Sequence, residues 1–328
     1  MKYRAFGRHQ FSVSEIGFGG WAIGGSWGSQ SDADSLAALN QAIDLGVNFI
    51  DTAAVYGDGR SERLIGGVLR DRAARKRETI IVATKVAPTS GVQPPSPYCR
   101  ADERYPEALL RESVDGRLAN LGTRQIDLLQ LHTWTRAWNG DPKPLRVLRE
   151  LKREGKIGLI GVSAPDHDPN CVIDLMRGGW LDSVQIIYNL FEQEPAAELL
   201  AVAKTTGVGV IVRVVFDEGA LTGKFTEKTA FPSDDFRARY FEGDRLPRVL
   251  TRIEAIRQDL AETRYTLAQA ALKFALAHPA VSTVIPGIRN AAQATANCEV
   301  CELPDLSPEL LVRLRRHNWH KGSWYGGK

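Results

Sequence analysis

Short apolar runs rich in Val and Ile alternate along this chain with longer stretches whose apolar positions recur at helical spacing. Runs at 13–19 (VSEIGFG), 48–52 (NFIDT), 79–85 (TIIVATK), 126–132 (IDLLQLH), 157–163 (IGLIGVS), 182–189 (DSVQIIYN), 208–214 (VGVIVRV) and 282–287 (STVIPG) predict eight strands. Helical patterns fall between and after them at 32–45, 61–70, 106–121, 143–154, 168–178, 195–206, 248–278 and 290–297, and a further helix starts near Ser307. The strand runs lack strict alternation, as strands of a parallel sheet buried on both faces do. Eight strand–helix repeats predict the α/β class and a closed (β/α)8 TIM barrel, with residues 1–328 as a single domain. The competing architecture is a doubly wound open sheet, whose first βα turn usually carries G-x-G-x-x-G. GFGGWAIGG (17–25) is rich in glycine, but the spacing fails and the helical pattern begins only near Ser31.

Three stretches break the rhythm: the Pro/Ser loop 86–104, the longer segment 216–247, and the Gly/Trp-rich tail from Asn318. Loops this long are usually functional or disordered, and the aromatics in all three favour lids at the C-terminal mouth of a barrel. Composition narrows the partners. With 42 basic against 39 acidic residues, a net charge of +3 and no dense basic run, neither nucleic acid nor a membrane surface is expected. No apolar stretch near the start has signal-peptide length and none approaches a bilayer span, so the expected location is cytoplasmic. Cys298 and Cys301 form a C-x-x-C, which can mark a redox pair or half a zinc site. No second Cys or His pair offers the other half, so buried thiols and no metal are expected.

The chemistry of a (β/α)8 barrel sits where the strands end. Strand 2 ends at Asp51, strand 3 at Lys85, strand 4 at His132, strand 5 at Ser163 and strand 6 near Gln185 to Asn189, and Tyr56 follows Asp51 by one short loop. Each alone has an ordinary structural reading: a turn cap, a snorkelling lysine, a core histidine, a half-buried tyrosine. Together, four titratable groups at the ends of successive strands point into one mouth. A phenol with an ordinary pKa of about 10 is a poor acid; an adjacent ammonium favours its phenolate. A buried lysine needs a carboxylate, for which Asp51 is the candidate, and a histidine across the pocket can orient a substrate oxygen. That set protonates an alkoxide as it forms, which is what carbonyl reduction needs.

From about Phe11 to about Leu314 the chain resembles the aldo-keto reductases. NFIDTAAVYG is similar to the family's Asp-Thr-Ala-x-x-Tyr-Gly, and VATK and LLQLH follow in the expected order. The resemblance carries the family's catalytic tetrad onto Asp51, Tyr56, Lys85 and His132, and implies an extended nicotinamide cofactor bound without a Rossmann domain. Ser163 and Gln185 match the positions that hold the nicotinamide carboxamide, and Arg213 the one that lies on its ring, where a planar guanidinium can stack. RVVFDEGALTGKF is similar to the cofactor-covering segment, which brings in Gly219, Leu221, Gly223 and Lys224. GALTGKF is no P-loop, because its glycines are one residue too close and Phe225 replaces Ser/Thr. IPGIRNAAQATAN resembles the phosphate and adenine site, with Gly287, Arg289, Gln293 and Asn297 in place and a helix N-terminus beside them. A cation at Arg289 implies NADPH over NADH, with NADH the alternative.

The chain departs from the family at Ala164, where asparagine is common, at Val215, where proline is usual, and in LHTW after the histidine. Trp21 matches a substrate-facing position. Trp134, Trp138, Tyr98, Trp319 and Trp324 lie on segments around the same mouth and are further candidates, Trp134 foremost. The expected activity is NADPH-dependent reduction of a small-molecule aldehyde or ketone. The alternatives are a dehydrogenase of a sugar or secondary alcohol using the same residues, a nicotinamide-binding regulatory subunit, and a (β/α)8 isomerase or lyase acting on a phosphorylated substrate. The sequence carries no reading of oligomeric state.

Overall fold

The computed structural model describes residues 1–25, 27–73, 79–91 and 95–319. It begins with an antiparallel hairpin, β1 (Tyr3–Ala5) and β2 (Ser12–Ser14). Eight parallel strands follow among the described residues: β3 (Phe18–Gly19), β4 (Phe49–Asp51), β5 (Ile81–Val86), β6 (Ile126–Leu131), β7 (Ile157–Ser163), β8 (Ser183–Ile187), β9 (Gly209–Arg213) and β10 (Val281–Val284). Each pairs with its sequence neighbour. The sheet curls until its ends meet: Gly17 N–H donates to the Val284 carbonyl at 2.8 Å, and Val284 N–H to the Glu15 carbonyl at 2.9 Å. Bridges Ile16–Val284 and Gly19–Gly287 complete the (β/α)8 barrel.

The helices wrap the outside: α1 (Asp32–Asp44), α2 (Arg60–Ala73), α3 (Ala101–Arg104), α4 (Glu107–Leu121), α5 (Lys143–Arg153), α6 (Ile173–Arg177), α7 (Leu199–Thr206), α8 (Phe236–Tyr240), α9 (Arg245–Leu260), α10 (Leu267–Leu276), α11 (Ala291–Cys298) and α12 (Pro308–Arg315). Their apolar stripes bury against the sheet as one large core. None of the described helices is long and apolar enough to cross a membrane.

Two predicted elements divide. The apolar run 13–19 is not one strand: Ser12–Ser14 belongs to the hairpin and only Phe18–Gly19 to the barrel. The hairpin closes the barrel floor, where Phe6 and Val13 pack with Phe49, Leu128 and Ile211, so the site must open at the other end. The predicted helix 248–278 breaks after Leu260, and α10 restarts behind a capping box. There Thr266 Oγ1 accepts from Gln269 N–H at 3.2 Å, and Gln269 Oε1 accepts from Thr266 N–H at 2.9 Å.

Candidate active site

Inward positions of a strand recur every second residue. On β4 that places Phe49 in the floor cluster and Asp51 at the mouth, with Asp51 only 3% exposed. The loop after it turns sharply. Gly57, Asp58 and Gly59 all adopt left-handed backbone (φ 63°, 49° and 74°). A Cβ on Gly57 would lie 2.1 Å from the Gly24 carbonyl oxygen, so the turn needs glycine there. The loop is pinned from behind: Thr52 Oγ1 bonds Ser61 Oγ at 2.8 Å, and Ser61 Oγ donates to the Gly20 carbonyl at 2.9 Å. The result returns Tyr56 to the rim above Asp51.

Lys85, near the end of β5, is completely buried. Its ammonium donates to Asp51 Oδ2 at 2.6 Å, Asp51 Oδ1 at 2.8 Å, the Thr52 carbonyl at 2.8 Å and Tyr56 Oη at 3.3 Å. Burial works to lower the Lys85 pKa, but Asp51 and Tyr56 outweigh it and hold the ammonium above its ordinary range. For Tyr56, burial pushes the phenol up and outweighs the lowering by Lys85, with Asp51 adding to the rise. The lysine moderates the phenol's acidity without bringing its pKa below the usual value, and the resting group is protonated at neutral pH. The rings of His132 and Tyr56 meet edge-on at 6.1 Å. Burial, then the charges of Lys85 and Arg213, lowers the His132 pKa to about 3, so its imidazole is neutral. A neutral imidazole presents one N–H donor and no charge.

A second chain of contacts leads from the same carboxylate into the barrel. Gln185 Nε2 donates to Asp51 Oδ1 at 2.7 Å, and Ser163 Oγ donates to Gln185 Oε1 at 3.4 Å. Tyr56, His132 and Asp51 open onto a cavity of about 940 Å³ that runs from the barrel mouth to the start of α11, at the upper end of the size range for small-molecule sites. Ser163, Gln185, Arg213, Gly219, Lys224, Gly287, Arg289, Gln293 and Asn297 all line it. Leu221 and Gly223 do not: Leu221 is sealed in the core, and Gly223 faces a separate shallow depression beside Arg257 and Leu267. Arg213 is held by the Ala164 carbonyl at 3.0 Å and Asp166 Oδ1 at 2.6 Å. Arg289 rests on Gln30 Oε1 at 2.9 Å and the Ser29 carbonyl at 2.5 Å. Both partners are neutral, and no carboxylate bridges it among the described residues.

The aromatic wall differs from expectation except at Trp21, which lines the cavity. Trp134 is not a pocket residue. Its ring is fully buried edge-on to Trp138 at 5.2 Å, and its indole N–H donates to Asn139 Oδ1 at 2.8 Å. Trp138 is likewise internal and donates to the Cys99 carbonyl at 2.7 Å. Trp319 packs on Phe191 at 5.7 Å, Tyr98 is 94% exposed and does not line this cavity, and Trp324 lies outside the described residues. In their place the cavity is walled by Trp27, Phe225, Phe236 and Arg237, which the sequence reading missed. Phe236 meets Trp21 at 5.1 Å, Trp27 meets Trp21 at 5.7 Å, and the Arg237 guanidinium lies 4.7 Å over the Trp27 ring. This wall joins the loop after β3 to the segment around α8.

The model of the Aldo/keto reductase family matches residues 15–318. The chain belongs to that family. As an aldo-keto reductase it is an NAD(P)-dependent oxidoreductase acting on small molecules. It is 32% identical to aldo-keto reductase YhdN of Bacillus subtilis over 306 residues, covering 92% of this chain and 88% of that protein. It is 27% identical over 313 residues to the NADH-specific methylglyoxal reductase of Escherichia coli, covering 90% and 92% of the two chains. Among solved structures, the glycerol dehydrogenase AKR11B4 from Gluconobacter oxydans superposes with a TM-score of 0.76 at 26% identity, over 96% of this chain and 95% of that one. Against that background the segment after β9 stands out for its backbone. Val214, Asp217 and Glu218 all have left-handed φ (53°, 47° and 54°). For a β-branched residue such as Val214 that conformation is disfavoured. Asn189, fully buried, holds it by donating to the Val214 carbonyl at 2.9 Å.

Proposed function

We propose that this aldo-keto reductase reduces an aldehyde or ketone to the alcohol with NADPH, and that Tyr56 delivers the proton. The observation that carries this reading is the Lys85 ammonium. It is buried, clamped by both Asp51 oxygens, and stands 3.3 Å from a phenol that faces the cavity. As the carbonyl oxygen gains negative charge, Tyr56 Oη transfers its proton to it. The phenolate left behind forms beside a fixed positive charge, where it is stabilised without reorganisation. Asp51 keeps Lys85 charged and aimed. His132, neutral, donates an N–H to the same oxygen and helps to hold the carbonyl in place. In alcohol oxidation the same parts run backwards, with the Tyr56 phenolate as base.

A nicotinamide dinucleotide, when bound, supplies the hydride. The residues along the cavity fit such a group. Ser163 and Gln185 offer an amide-complementary pair, and Arg213 a planar cation whose Nε finds no partner among the described residues. Arg289 offers a cation whose hydrogen-bond acceptors among the described residues are neutral, beside the α11 N-terminus, which suits an anionic phosphate. That charge is the reason to favour NADPH over NADH.

The test is Tyr56→Phe. Fluorescence titration with NADPH should give an unchanged Kd, while turnover of an aldehyde such as 4-nitrobenzaldehyde should fall by at least about 10²-fold, the low end of what a positioned proton donor contributes. Near-normal turnover in that variant would end the assignment of Tyr56. Parallel titration with NADH decides the nucleotide preference.

A further inference from the structure

A second polar row lies inside the barrel, one layer below the mouth, and the proposed chemistry does not use it. On β6, β7 and β8 the residues two positions before His132, Ser163 and Gln185 are Gln130, Gly161 and Ser183. Strand periodicity turns them to the same inner face. The register gives the same row, since Gln130 pairs with Gly161 and Gly161 with Ser183. Gln130 and Ser183 are each 0% exposed, in a layer that barrels ordinarily fill with Val, Ile and Leu. Both lean over the bare Cα of Gly161, where a Cβ would come 2.3 Å from Ser183 Oγ and 3.1 Å from Gln130 Cγ.

Gln130 has one end accounted for. Its Nε2 faces Asp51 Oδ1 at 3.5 Å, the amide orientation that turns an N–H rather than a second oxygen toward the carboxylate. The other end, Oε1, has no hydrogen-bond partner among the described residues, and neither has Ser183 Oγ. A buried polar atom left unsatisfied forfeits its hydration with nothing in return, and buried polar groups are nearly always satisfied by protein or by ordered water. Oε1 can only accept, whereas a water has two O–H bonds to give and can also accept from a serine hydroxyl. A single water within reach of both atoms would serve each.

We propose that a buried water bridges Gln130 Oε1 and Ser183 Oγ beneath the tetrad, and that Gln130, fixed by it, is a positioning residue for Asp51. Asp51 Oδ1 already receives Gln185 and Lys85, and the Gln130 amide is its third donor. Take that donor away and the carboxylate's charge is less compensated. Tyr56 is faced by Lys85, Asp51, His132 and Arg213, and among these Asp51 is the charge that pushes the phenol up. Loss of Gln130 therefore raises the phenol further. The second half of the proposal rests on the assignment of Tyr56 as proton donor, and the water does not.

A crystal structure of the unaltered protein, at a resolution that shows ordered solvent, tests the water directly. Density about 2.7–3.2 Å from both oxygens is expected. A dry gap, or either side chain rotated onto a protein partner, overturns it. The positioning role is read from alcohol oxidation, whose rate follows the fraction of Tyr56 phenolate. Gln130→Leu should move that pH profile upward by about 0.5–1 unit, with the cofactor Kd unchanged. Ser183→Ala should move it the same way by less. An unmoved profile in Gln130→Leu overturns the role. Should that variant fail to fold, an unmoved profile in Ser183→Ala does so instead. Retained turnover in Tyr56→Phe would sink the proton-donor reading and leave the water standing, whereas a dry barrel would sink the water and leave that reading intact.

Discussion

Replacing Asp51 by Asn should turn a pH-insensitive buried ion pair into a pH-dependent defect. The substitution keeps the shape and removes the charge opposite a fully buried ammonium. Lys85 retains the Thr52 carbonyl at 2.8 Å, but its contacts of 2.6 and 2.8 Å to the carboxylate become contacts to a neutral amide, one end of which carries N–H groups of its own. Breaking a buried pair by removing one partner costs about 3–5 kcal/mol. The loss has a ceiling, because Lys85 can shed its proton. Doing so at pH 7 from an ordinary lysine pKa of about 10.4 costs about 4.6 kcal/mol. In the parent protein the Lys85 pKa is raised in the folded state. Its contribution is therefore complete below the unfolded value and fades only as pH climbs through the higher folded one. In Asp51→Asn the folded pKa drops below the unfolded value. Between the two the unfolded chain binds more protons, so stability rises with pH, by up to about 1.4 kcal/mol per unit. Urea unfolding of both proteins from about pH 6 to about pH 10 reads this out as a deficit of about 3–5 kcal/mol near neutrality that narrows toward the alkaline end. A deficit that stays constant across the range would mean that Lys85 keeps its charge without Asp51, and the account of the pair would be wrong.

Three further outcomes are expected. Because burial and two nearby cations lower the His132 pKa to about 3, the ring stays neutral above that value, and kcat/KM for reduction should show no inflection near pH 6.5; a titration there that disappears in His132→Gln would contradict it. Arg289→Ala should weaken NADPH binding by about 10- to 100-fold, the value of one charge-assisted contact, and leave NADH nearly unchanged, so an equal loss for both nucleotides in fluorescence titration would remove Arg289 from the 2′-phosphate. Gly57→Ala forces a side chain onto a φ of 63° and to within 2.1 Å of the Gly24 carbonyl oxygen; it should cost at least about 1–2 kcal/mol in denaturant unfolding and reduce turnover more than cofactor affinity, because the turn carries Tyr56.

The strand ends were legible because each is announced locally. An apolar run stops at a polar residue, and the barrel geometry turns that residue into the mouth. Asp51, His132 and Ser163 follow this rule, and Lys85 falls one residue before the end of β5; Gln185 lies inside its strand, with Ile186 and Ile187 beyond it, and is marked by the family resemblance instead. The first strand was misjudged because 13–19 reads as one run, although Val13 serves the floor and Phe18 the barrel wall. The break at 261–266 was available in the sequence, as Thr266 and Gln269 form a capping pattern, but continuing helical periodicity on both sides concealed it. Trp134 lies on a segment at the mouth, two residues after His132, and that position does not fix the direction of its side chain. Two residues beyond a strand end, the chain can send a side chain inward or back under the loops, and only packing decides. Trp27 and Phe236 could not be paired from sequence, since they are about 200 residues apart and are brought into one wall by Trp21. Leu221 and Gly223 were carried by a segment whose local fold presents Gly219 and Lys224 to the cavity instead.

The two sides of the site are held by different means. Asp51, Lys85 and Gln185 stand on strands of the barrel and are bonded to one another inside it. A buried ion pair is weak evidence for stability, since apolar residues of similar volume often do as well or better in its place. The Asp51–Lys85 pair therefore reads as retained for the charge it fixes beside Tyr56. Tyr56 itself rides on a loop, yet the Thr52–Ser61–Gly20 bonds and the glycine turn confine that loop. The segment after β9 is held by other means: Val214 sits in a backbone conformation it disfavours, and the buried Asn189 amide grips its carbonyl. Strain of this kind costs roughly 1–3 kcal/mol and persists only where surrounding contacts over-determine it. Both halves of the mouth are therefore fixed, the Asp51–Lys85 side by buried charge and hydrogen bonds and the Val214 side by the Asn189 amide that holds a disfavoured backbone in place.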